Sequence, residues 1–249
     1  MSSSELRPLP DPVRLPLNPK EAHTLCESII ANVDKALVGR REAVLRSLVA
    51  IAARGHLLLE DVPGVGKSSL AQALARSFGL PLSRIQFTSD LLPADVLGVT
   101  TWDSKSESFV FRKGPIFSHV VLADELNRTP PRTQSALLEA MAEGQVSLDG
   151  ETRPLPRPFF VIATLNPQEQ QGTYPLPESQ LDRFLVRLSL GYPEAAEERE
   201  LLLSRGLADP VASLGAVASV EDVLRLQAAA AKVRLEAPVA AYILALASA

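Results

Sequence analysis

The segment that most constrains the fold of this chain is EDVPGVGKSSL, at positions 60–70. It follows an apolar run, HLLL at 56–59, that is typical of a buried strand, and it precedes apolar residues at helical spacing from Leu70 to Phe78. A strand, a glycine-rich turn and a helix in this order bring backbone N–H groups to one point, where they can surround a phosphate. The sequence therefore predicts a phosphate-binding loop.

The side chains of this loop fit a nucleoside triphosphate. Lys67 can reach the β- and γ-phosphates, and the Ser68 hydroxyl can ligate Mg²⁺. Asp61 stands where the strict pattern has glycine, and it brings a negative charge near the phosphates. The alternative interpretation is a surface turn rich in glycine and proline. We expect the nucleotide to contact Pro63, Gly64, Val65, Gly66, Lys67, Ser68 and Ser69.

The composition narrows the class of protein. The 249 residues are 46% hydrophobic and 22% charged, which is ordinary for a globular protein with a substantial core. The net charge of −4 argues against a general polyanion binder. The single cysteine, Cys26, excludes an internal disulfide and is expected to pack on a helix. Because neither a signal peptide nor an apolar run of membrane-spanning length is visible, we expect a cytoplasmic protein.

Five short apolar runs separated by helical patterns predict an α/β fold, in which helices cover both faces of a parallel sheet. The runs lie at 56–59, 85–87, 119–123, 159–163 and 184–190. Alternating patterns at 99–112 and 145–153 predict two β-hairpins, and Trp102 is expected to pack in the first of them.

The same patterns predict how the chain is divided. We expect a flexible, proline-rich extension over 1–20, an α/β core over 21–191 whose first helices start at 21 and 42, and a helical lid over 192–249. Apolar clusters at 201–203, 223–224 and 242–244 mark the helices of the lid. The last helix, 241–249, has no capping residue, so we expect it to fray or the lid to be truncated there.

Polar residues follow two of the predicted strands. Asp124 and Glu125 come directly after the third strand, and Asn166 follows the fourth. Because the carboxyl ends of parallel strands meet at one edge of a sheet, we expect these residues beside the phosphate loop. Asp124 would then hold Mg²⁺ through water, Glu125 would activate the attacking water, and Asn166 would fix that water. A solvated acidic turn and an ordinary Asn-Pro turn are the alternatives.

Arg183 lies in the segment PESQLDRF, at the corner between a short helix and the fifth strand. In a ring of subunits such a corner can reach the γ-phosphate bound by a neighbour, where an arginine stabilises the charge of the transition state. The alternative is a surface salt bridge with Asp182 or Glu178.

The order of the motifs along the chain resembles that of an AAA+ ATPase: the phosphate loop, the acidic pair, the Asn motif and then the Asp-Arg-Phe motif. Three longer blocks, IQFTSDLLP at 85–93, LADELNRTPP at 122–131 and GTYPLPE at 172–178, resemble the MoxR family. The resemblance covers about residues 21–249. It also accommodates Asp61, because members of this family commonly carry a residue other than glycine there.

This resemblance implies an AAA+ core, with a five-stranded parallel sheet, a small helical lid and two hairpin insertions, that binds ATP and Mg²⁺ and acts as a hydrolase. The roles that it implies are the phosphate-loop lysine and serine for Lys67 and Ser68, the metal ligand for Asp124, the base for Glu125, the first sensor for Asn166 and the trans-acting arginine finger for Arg183. Val38 and Gly39 match the segment that contacts adenine.

Further positions that match the family lie around the predicted site. Tyr192 and Pro193 match the hinge between core and lid, where they would close the adenine pocket. Arg128 matches a family arginine near the subunit boundary, and we interpret it as structural or interfacial. The family lid normally carries a second sensor arginine in a later helix, and this sequence ends before such a motif.

The resemblance implies a chaperone-like ATPase that works as a homo-oligomeric, hexameric ring. It also implies a partner with a von Willebrand factor A domain and a protein client that awaits assembly or metal insertion. We expect neither a nucleic-acid partner nor a membrane span.

Two other functions remain open. A DNA-translocating motor would use the basic residues nearest the hairpins, although acidic residues lie among them. These basic residues are Lys105, Arg112, Lys113 and Arg153. A nucleotide-gated scaffold would bind ATP with little turnover, and the presence of Glu125, Asn166 and Arg183 argues against it.

Overall fold

The structure is a computed structural model that describes residues 15–167, 172–192, 199 and 209–248. A parallel sheet forms its centre, and the five strands are β1 (Leu57–Glu60), β2 (Leu82–Gln86), β5 (Val120–Asp124), β8 (Phe160–Leu165) and β9 (Val186–Leu188). Across the sheet these strands follow the order β2-β5-β8-β1-β9, and every pair is parallel. The predicted α/β fold is therefore confirmed.

Eight α-helices lie within the described ranges. They are α1 (Pro19–Asp34), α2 (Arg41–Ala52), α3 (Lys67–Ser77), α4 (Pro93–Leu97), α5 (Pro131–Glu143), α6 (Glu178–Leu181), α7 (Val220–Ala230) and α8 (Ala237–Ala247). Short 3-10 turns occupy Leu126–Arg128 and Pro210–Ser213. Among these helices, none is both long and apolar enough to cross a membrane.

The three central strands, β5, β8 and β1, are buried on both faces, which explains why they read as continuous apolar runs. In β1, Leu57 and Leu59 pack with α1, α2 and α3, while Leu58 packs on the opposite face with α5. Cys26 packs on α1 beside the first of these cores, as expected. Burial raises the pKa of its thiol.

Helix α1 begins at Pro19, two residues before the predicted start. The side chain of Asn18 accepts the backbone N–H of Glu21, and the Glu21 carboxylate accepts the N–H of Asn18, each at 2.9 Å. This reciprocal pair satisfies two backbone donors at the helix terminus, and Pro19 occupies the first helical position, where no N–H is needed. Helix α1 therefore begins within the range, 1–20, that was predicted to be a flexible extension.

Both predicted hairpins are present. The first consists of β3 (Gly98–Asp103) and β4 (Ser108–Lys113), and the second of β6 (Gln145–Leu148) and β7 (Glu151–Pro154). The hydroxyl of Thr100 donates to Asp149 at 2.7 Å, and the guanidinium of Arg153 lies 3.9 Å from the ring centre of Phe111. These two contacts join the hairpins. Trp102 does pack in the first hairpin, edge-on against Phe109, but it stays 55% exposed.

The predicted lid is described only in part. Helix α7 packs on α2, where Val223 and Leu226 are buried and Gln227 donates to the Ile51 carbonyl at 2.9 Å. Helix α8 contains no buried residue. The predicted cluster at 201–203 and the hinge residue Pro193 lie outside the described residues.

Candidate nucleotide-binding site

The predicted phosphate loop connects β1 to α3. Gly64 and Gly66 have φ angles of 87° and 96°, which glycine adopts without the strain that other residues incur. Gly66 is the N-cap of α3, so no side chain caps the first turn of this helix. The N–H groups of that turn, together with the helix dipole, are therefore available to an anion.

Lys67 is the first residue of α3 and folds back onto the loop. Its Nζ donates to the Val62 carbonyl at 3.0 Å and also to the Asp61 carbonyl. Partial burial lowers the pKa of Lys67, and the nearby carboxylates oppose that shift. The loop thus holds a cation at its mouth by bonds that phosphate oxygens can replace.

Asp61 is tied to the far end of the core rather than to the cleft. Its carboxylate accepts the N–H of Val62 at 2.8 Å, the Ser189 hydroxyl at 2.9 Å and the N–H of Gly191 at 2.6 Å. Burial alone would raise the pKa of Asp61, but these hydrogen bonds outweigh it and the pKa lies below its ordinary value. This explains why an acid is tolerated in a phosphate loop.

Asp124 ends β5 with a nearly buried carboxylate that has two polar partners. Oδ1 accepts the Thr164 hydroxyl at 2.7 Å, and Oδ2 accepts Nη2 of Arg84 at 2.6 Å and Nε at 3.1 Å. Thr164 belongs to the neighbouring strand β8 and also accepts the backbone N–H of Glu125 at 2.8 Å. One hydroxyl therefore positions both predicted acids.

Glu125 follows in a left-handed conformation, with φ 58° and ψ 49°, which turns the chain sharply at the end of β5. Its Oε2 accepts Nε2 of Gln86 at 2.9 Å and lies 3.1 Å from Nε of Arg128. A left-handed angle in a residue other than glycine is strained, and such strain concentrates at functional sites. Here it places the side chain of Glu125 at the edge of the sheet.

A cleft of about 290 Å³ opens between the loop and these acids. It is lined by Pro63, Gly64, Gly66, Lys67, Ser68, Ser69, Asp124, Glu125, Thr164, Leu165 and Asn166. Within the described residues there is no group of three or more metal-ligating acids, histidines or cysteines. The oxygen ligands that line the cleft suit Mg²⁺, which usually takes one or two protein oxygens together with substrate phosphates.

Comparison with known proteins identifies the family. Residues 56–186 match the model of the ATPase family associated with various cellular activities (AAA). The chain is 47% identical to Chaperone MoxR1 of Mycobacterium tuberculosis, over 85% of this chain and 55% of that protein. The chain belongs to the MoxR family of AAA+ ATPases. It is also 49% identical to YeaC of Bacillus subtilis, an uncharacterized protein, over 90% of this chain and 70% of that one.

A solved structure agrees with this assignment to the MoxR family. The crystal structure of a candidate ATPase from Cytophaga hutchinsonii aligns with a TM-score of 0.80 and 39% sequence identity. The alignment covers 90% of this chain and 68% of that one. Like the two sequence relatives, this structure is longer than the chain described here.

Four residues predicted for the nucleotide do not line the cleft of this MoxR-family protein. Val65 is buried in the core, and Val38 and Gly39 lie in the turn between α1 and α2. That turn is close to the loop, because a Cβ on Gly66 would lie 3.5 Å from Cδ2 of Leu37. Arg183 is exposed at the corner between α6 and β9, as predicted.

Sequence reasoning missed three polar residues at or beside the cleft, namely Arg84, Gln86 and Thr164. The signal was available for two of them, since 84 and 86 fall on one face of a strand whose intervening residue is apolar. Whether these two residues reach the acids depends on strand register, because Gln86 pairs with Asp124 across the sheet. Thr164 lies two residues before Asn166, at the end of an apolar run.

Proposed function

We propose that this protein binds ATP and Mg²⁺ in the cleft and hydrolyses the ATP to remodel client proteins. One observation carries the proposal: the uncapped turn of α3, the ammonium of Lys67 and the acids Asp124 and Glu125 all meet in a single cleft. Donors for a polyphosphate and acceptors for a metal ion and a water molecule are thereby brought within one small volume.

The phosphate loop would bind the triphosphate. The N–H groups around Gly64 and Gly66 would contact its oxygens, and Lys67 would exchange its two carbonyl partners for phosphate. Ser68 and Asp124 would hold Mg²⁺, which when bound neutralises charge on the phosphates. Because Thr164 already fixes the orientation of Asp124, this ligand is preorganised.

Glu125 and Asn166 would act on the attacking water. Both line the cleft opposite the loop, and both follow strands that lie side by side in the sheet. The carboxylate of Glu125 would accept the proton of the water, and the Asn166 amide would orient it toward the γ-phosphate. The hydrogen bonds from Gln86 and Arg128 hold Glu125 at the rim until that step.

Arg183 would complete the site of a neighbouring subunit. It does not line its own cleft, and its side chain forms no ion pair or hydrogen bond with any residue that the structure describes. The salt bridge to Asp182 or Glu178 that we considered as an alternative is therefore not formed among those residues. An exposed arginine with this freedom suits a trans-acting role in a homo-oligomeric ring.

The two joined hairpins would carry the conformational change to a client. Their contacts, Thr100 with Asp149 and Arg153 with Phe111, tie the segment after α4 to the segment after α5. A nucleotide-dependent shift of either would therefore move both. A hexamer, a partner with a von Willebrand factor A domain and a protein client belong to this proposal.

The DNA-motor alternative gains little from the hairpins. Arg153 is paired with Glu151 and stacks on Phe111, and the ammonium of Lys113 lies 5.4 Å from the ring centre of Phe117. Two of the four basic candidates are thus already engaged within the protein. Stimulation of ATP hydrolysis by DNA, with a steep salt dependence, is the result that would revive this alternative.

Substitution of Glu125 tests the proposed function. Glu125→Gln should bind ATP as the wild type does in calorimetric titrations, and it should lose at least about a hundredfold in phosphate release. Lys67→Ala should instead weaken binding itself. Glu143→Gln removes an exposed acid at the end of α5 and should change neither measurement. Wild-type protein that fails to bind ATP, or Glu125→Gln that hydrolyses at the normal rate, would refute the proposal.

A further inference from the structure

Arg84 lies beside the predicted Mg²⁺ ligand. Two nitrogens of its guanidinium, Nη2 and Nε, donate to Oδ2 of Asp124 at 2.6 and 3.1 Å. The Arg84 side chain is 51% exposed, whereas that of Asp124 is 10% exposed. The ion pair therefore has a fixed, nearly buried acid and a cation that reaches it from the solvent side.

The sheet brings Arg84 to this position. β2 is the edge strand next to β5, and Gln86 pairs with Asp124 in register. Ile85 is buried in the opposite core, so 84 and 86 share the other face, the one that also bears the phosphate-loop helix.

Arg84 also connects the two acids. Its Nη2 lies 3.3 Å from Oε1 of Gln86, and Nε2 of the same Gln86 donates to Glu125 at 2.9 Å. The amide of Gln86 is thus oriented by Arg84, which fixes its NH₂ group toward Glu125. A continuous path runs from Asp124 through Arg84 and Gln86 to Glu125.

The energetics of this pair argue that its importance is not for folding. Water screens the exposed Arg84 end of this ion pair, and holding the long side chain in one geometry costs entropy, so the pair contributes little to stability. The same charge acts on a divalent cation, which approaches the same carboxylate. A positive charge held there opposes the binding of Mg²⁺. It therefore favours the binding of a polyphosphate that carries no Mg²⁺.

We propose that Arg84 is a positioning residue whose charge sets how strongly nucleotide binding depends on Mg²⁺. In the absence of the metal ion, Arg84 holds Asp124 in place and balances its charge. When Mg²⁺ binds, the hold of Arg84 on Asp124 loosens, and through Gln86 the change reaches Glu125. This inference deepens the proposed function and rests on it.

The test compares nucleotide affinity with and without Mg²⁺. For Arg84→Gln we expect the ratio of ATP affinity in Mg²⁺ to that in EDTA to rise about three- to tenfold, because a screened unit charge next to a divalent ion has been removed. Arg84→Lys keeps the charge and should leave the ratio within about twofold of the wild type. Both affinities are measured by calorimetry with a non-hydrolysable ATP analogue, so the heat of hydrolysis does not enter the result.

Two control variants separate charge from position. Arg187→Gln removes an arginine of similar exposure, paired with Glu60, from the opposite edge strand, and the ratio should not change. Thr164→Val removes the other partner of Asp124 without changing the charge, so the ratio should fall. A ratio for Arg84→Gln that equals that of Arg187→Gln, or that falls as in Thr164→Val, would overturn the inference.

A measurement on the wild-type protein covers the case in which Arg84→Gln does not fold. The ¹⁵Nε resonance of Arg84, assigned with the Arg84→Lys variant, should shift when Mg²⁺ is added to the complex with a non-hydrolysable ATP analogue. A resonance that does not respond to Mg²⁺ contradicts the inference while leaving the ATPase proposal intact. Absence of any ATP binding by the wild type would instead count against the proposed function.

Discussion

The carboxylate of Asp61 accepts a hydrogen bond of 2.6 Å from the backbone N–H of Gly191, which lies 130 residues later in the chain. On the other side of the same segment, the guanidinium of Arg40 donates to the carbonyls of Leu190 and Gly191. The phosphate loop, the turn after α1 and the end of the core are therefore joined at two consecutive residues, 190 and 191. The residue that departs from the strict loop pattern is the one that makes this connection.

Replacing Asp61 by glycine restores the strict loop pattern but should destabilise the protein. The N–H of Gly191 and the hydroxyl of Ser189 lose their acceptor, and we expect the free energy of unfolding to fall by about 1–3 kcal/mol. Asp61→Asn keeps an acceptor oxygen and should lose less. Urea denaturation of the three proteins measures both changes. If Asp61→Gly is as stable as the wild type, these hydrogen bonds contribute nothing to the free energy of unfolding.

Alanine at Gly66 should weaken ATP binding through the backbone alone. The nearest atom to a Cβ there is Cδ2 of Leu37 at 3.5 Å, an ordinary contact, but the φ angle of 96° is one that alanine rarely adopts. The loop must therefore shift, and we expect ATP affinity to fall by about tenfold or more. Calorimetry provides the measurement. Gly215→Ala is the matched control, since Gly215 has no unusual φ and open space around it. Equal affinities in the two variants would contradict the prediction.

The parts of the fold that follow from local patterns were predictable from the sequence. The phosphate loop and the five strands are marked by glycine spacing and apolar runs, and Asp124 reaches the loop because parallel strands end at one edge. The helix start at Pro19 was missed because the capping pair of Asn18 and Glu21 outweighs the proline-rich composition of the region.

What the sequence did not reveal depends on neighbours in space. The position of β8 between β5 and β1 has no local signature, yet it is this neighbour that brings Thr164 to Asp124. Arg84 looks like a solvated strand residue until the register places it against an acid. His56 was predicted only as the start of a strand, although its ring bonds to residues from two other elements.

The buried ring of His56 should make stability depend on pH. Its Nδ1 accepts the N–H of Val161 at 3.0 Å, and its Nε2 donates to the Met141 carbonyl at 3.2 Å, so the folded protein requires the neutral ring. Burial lowers the pKa of His56, and the bond to Met141 offsets this only in part. The unfolded chain takes up a proton near its ordinary pKa of 6.5, while the folded one does so only at lower pH.

The sign of the pH effect follows from this difference. The contribution of His56 is fully present above pH 6.5 and is lost as the pH falls below that value, with a slope of at most about 1.4 kcal/mol per pH unit. Urea denaturation between pH 5.5 and 7.5 measures the slope. His119→Gln, which alters a half-buried histidine bonded to the Pro158 carbonyl just before β8, should retain it. A stability that is constant across this range would contradict the prediction.

A shared active site predicts that two inactive variants restore each other. Glu125→Gln lacks the base but still offers Arg183 to its neighbour, and Arg183→Ala lacks the finger but keeps a complete cleft. Random mixing in equal amounts makes about one quarter of the interfaces complete, so about a quarter of wild-type ATP hydrolysis should return. Phosphate release is measured after the mixed oligomers have been verified by mass spectrometry.

The control for this mixing experiment is Glu125→Gln combined with Lys67→Ala. Both of these variants carry the defect in the cleft itself, so no interface in their mixture is complete and activity should stay at background. Recovery in the first mixture together with none in the second would place Arg183 in the site of a neighbour. If Arg183→Ala is inactive alone and both mixtures stay at background, Arg183 acts within its own subunit.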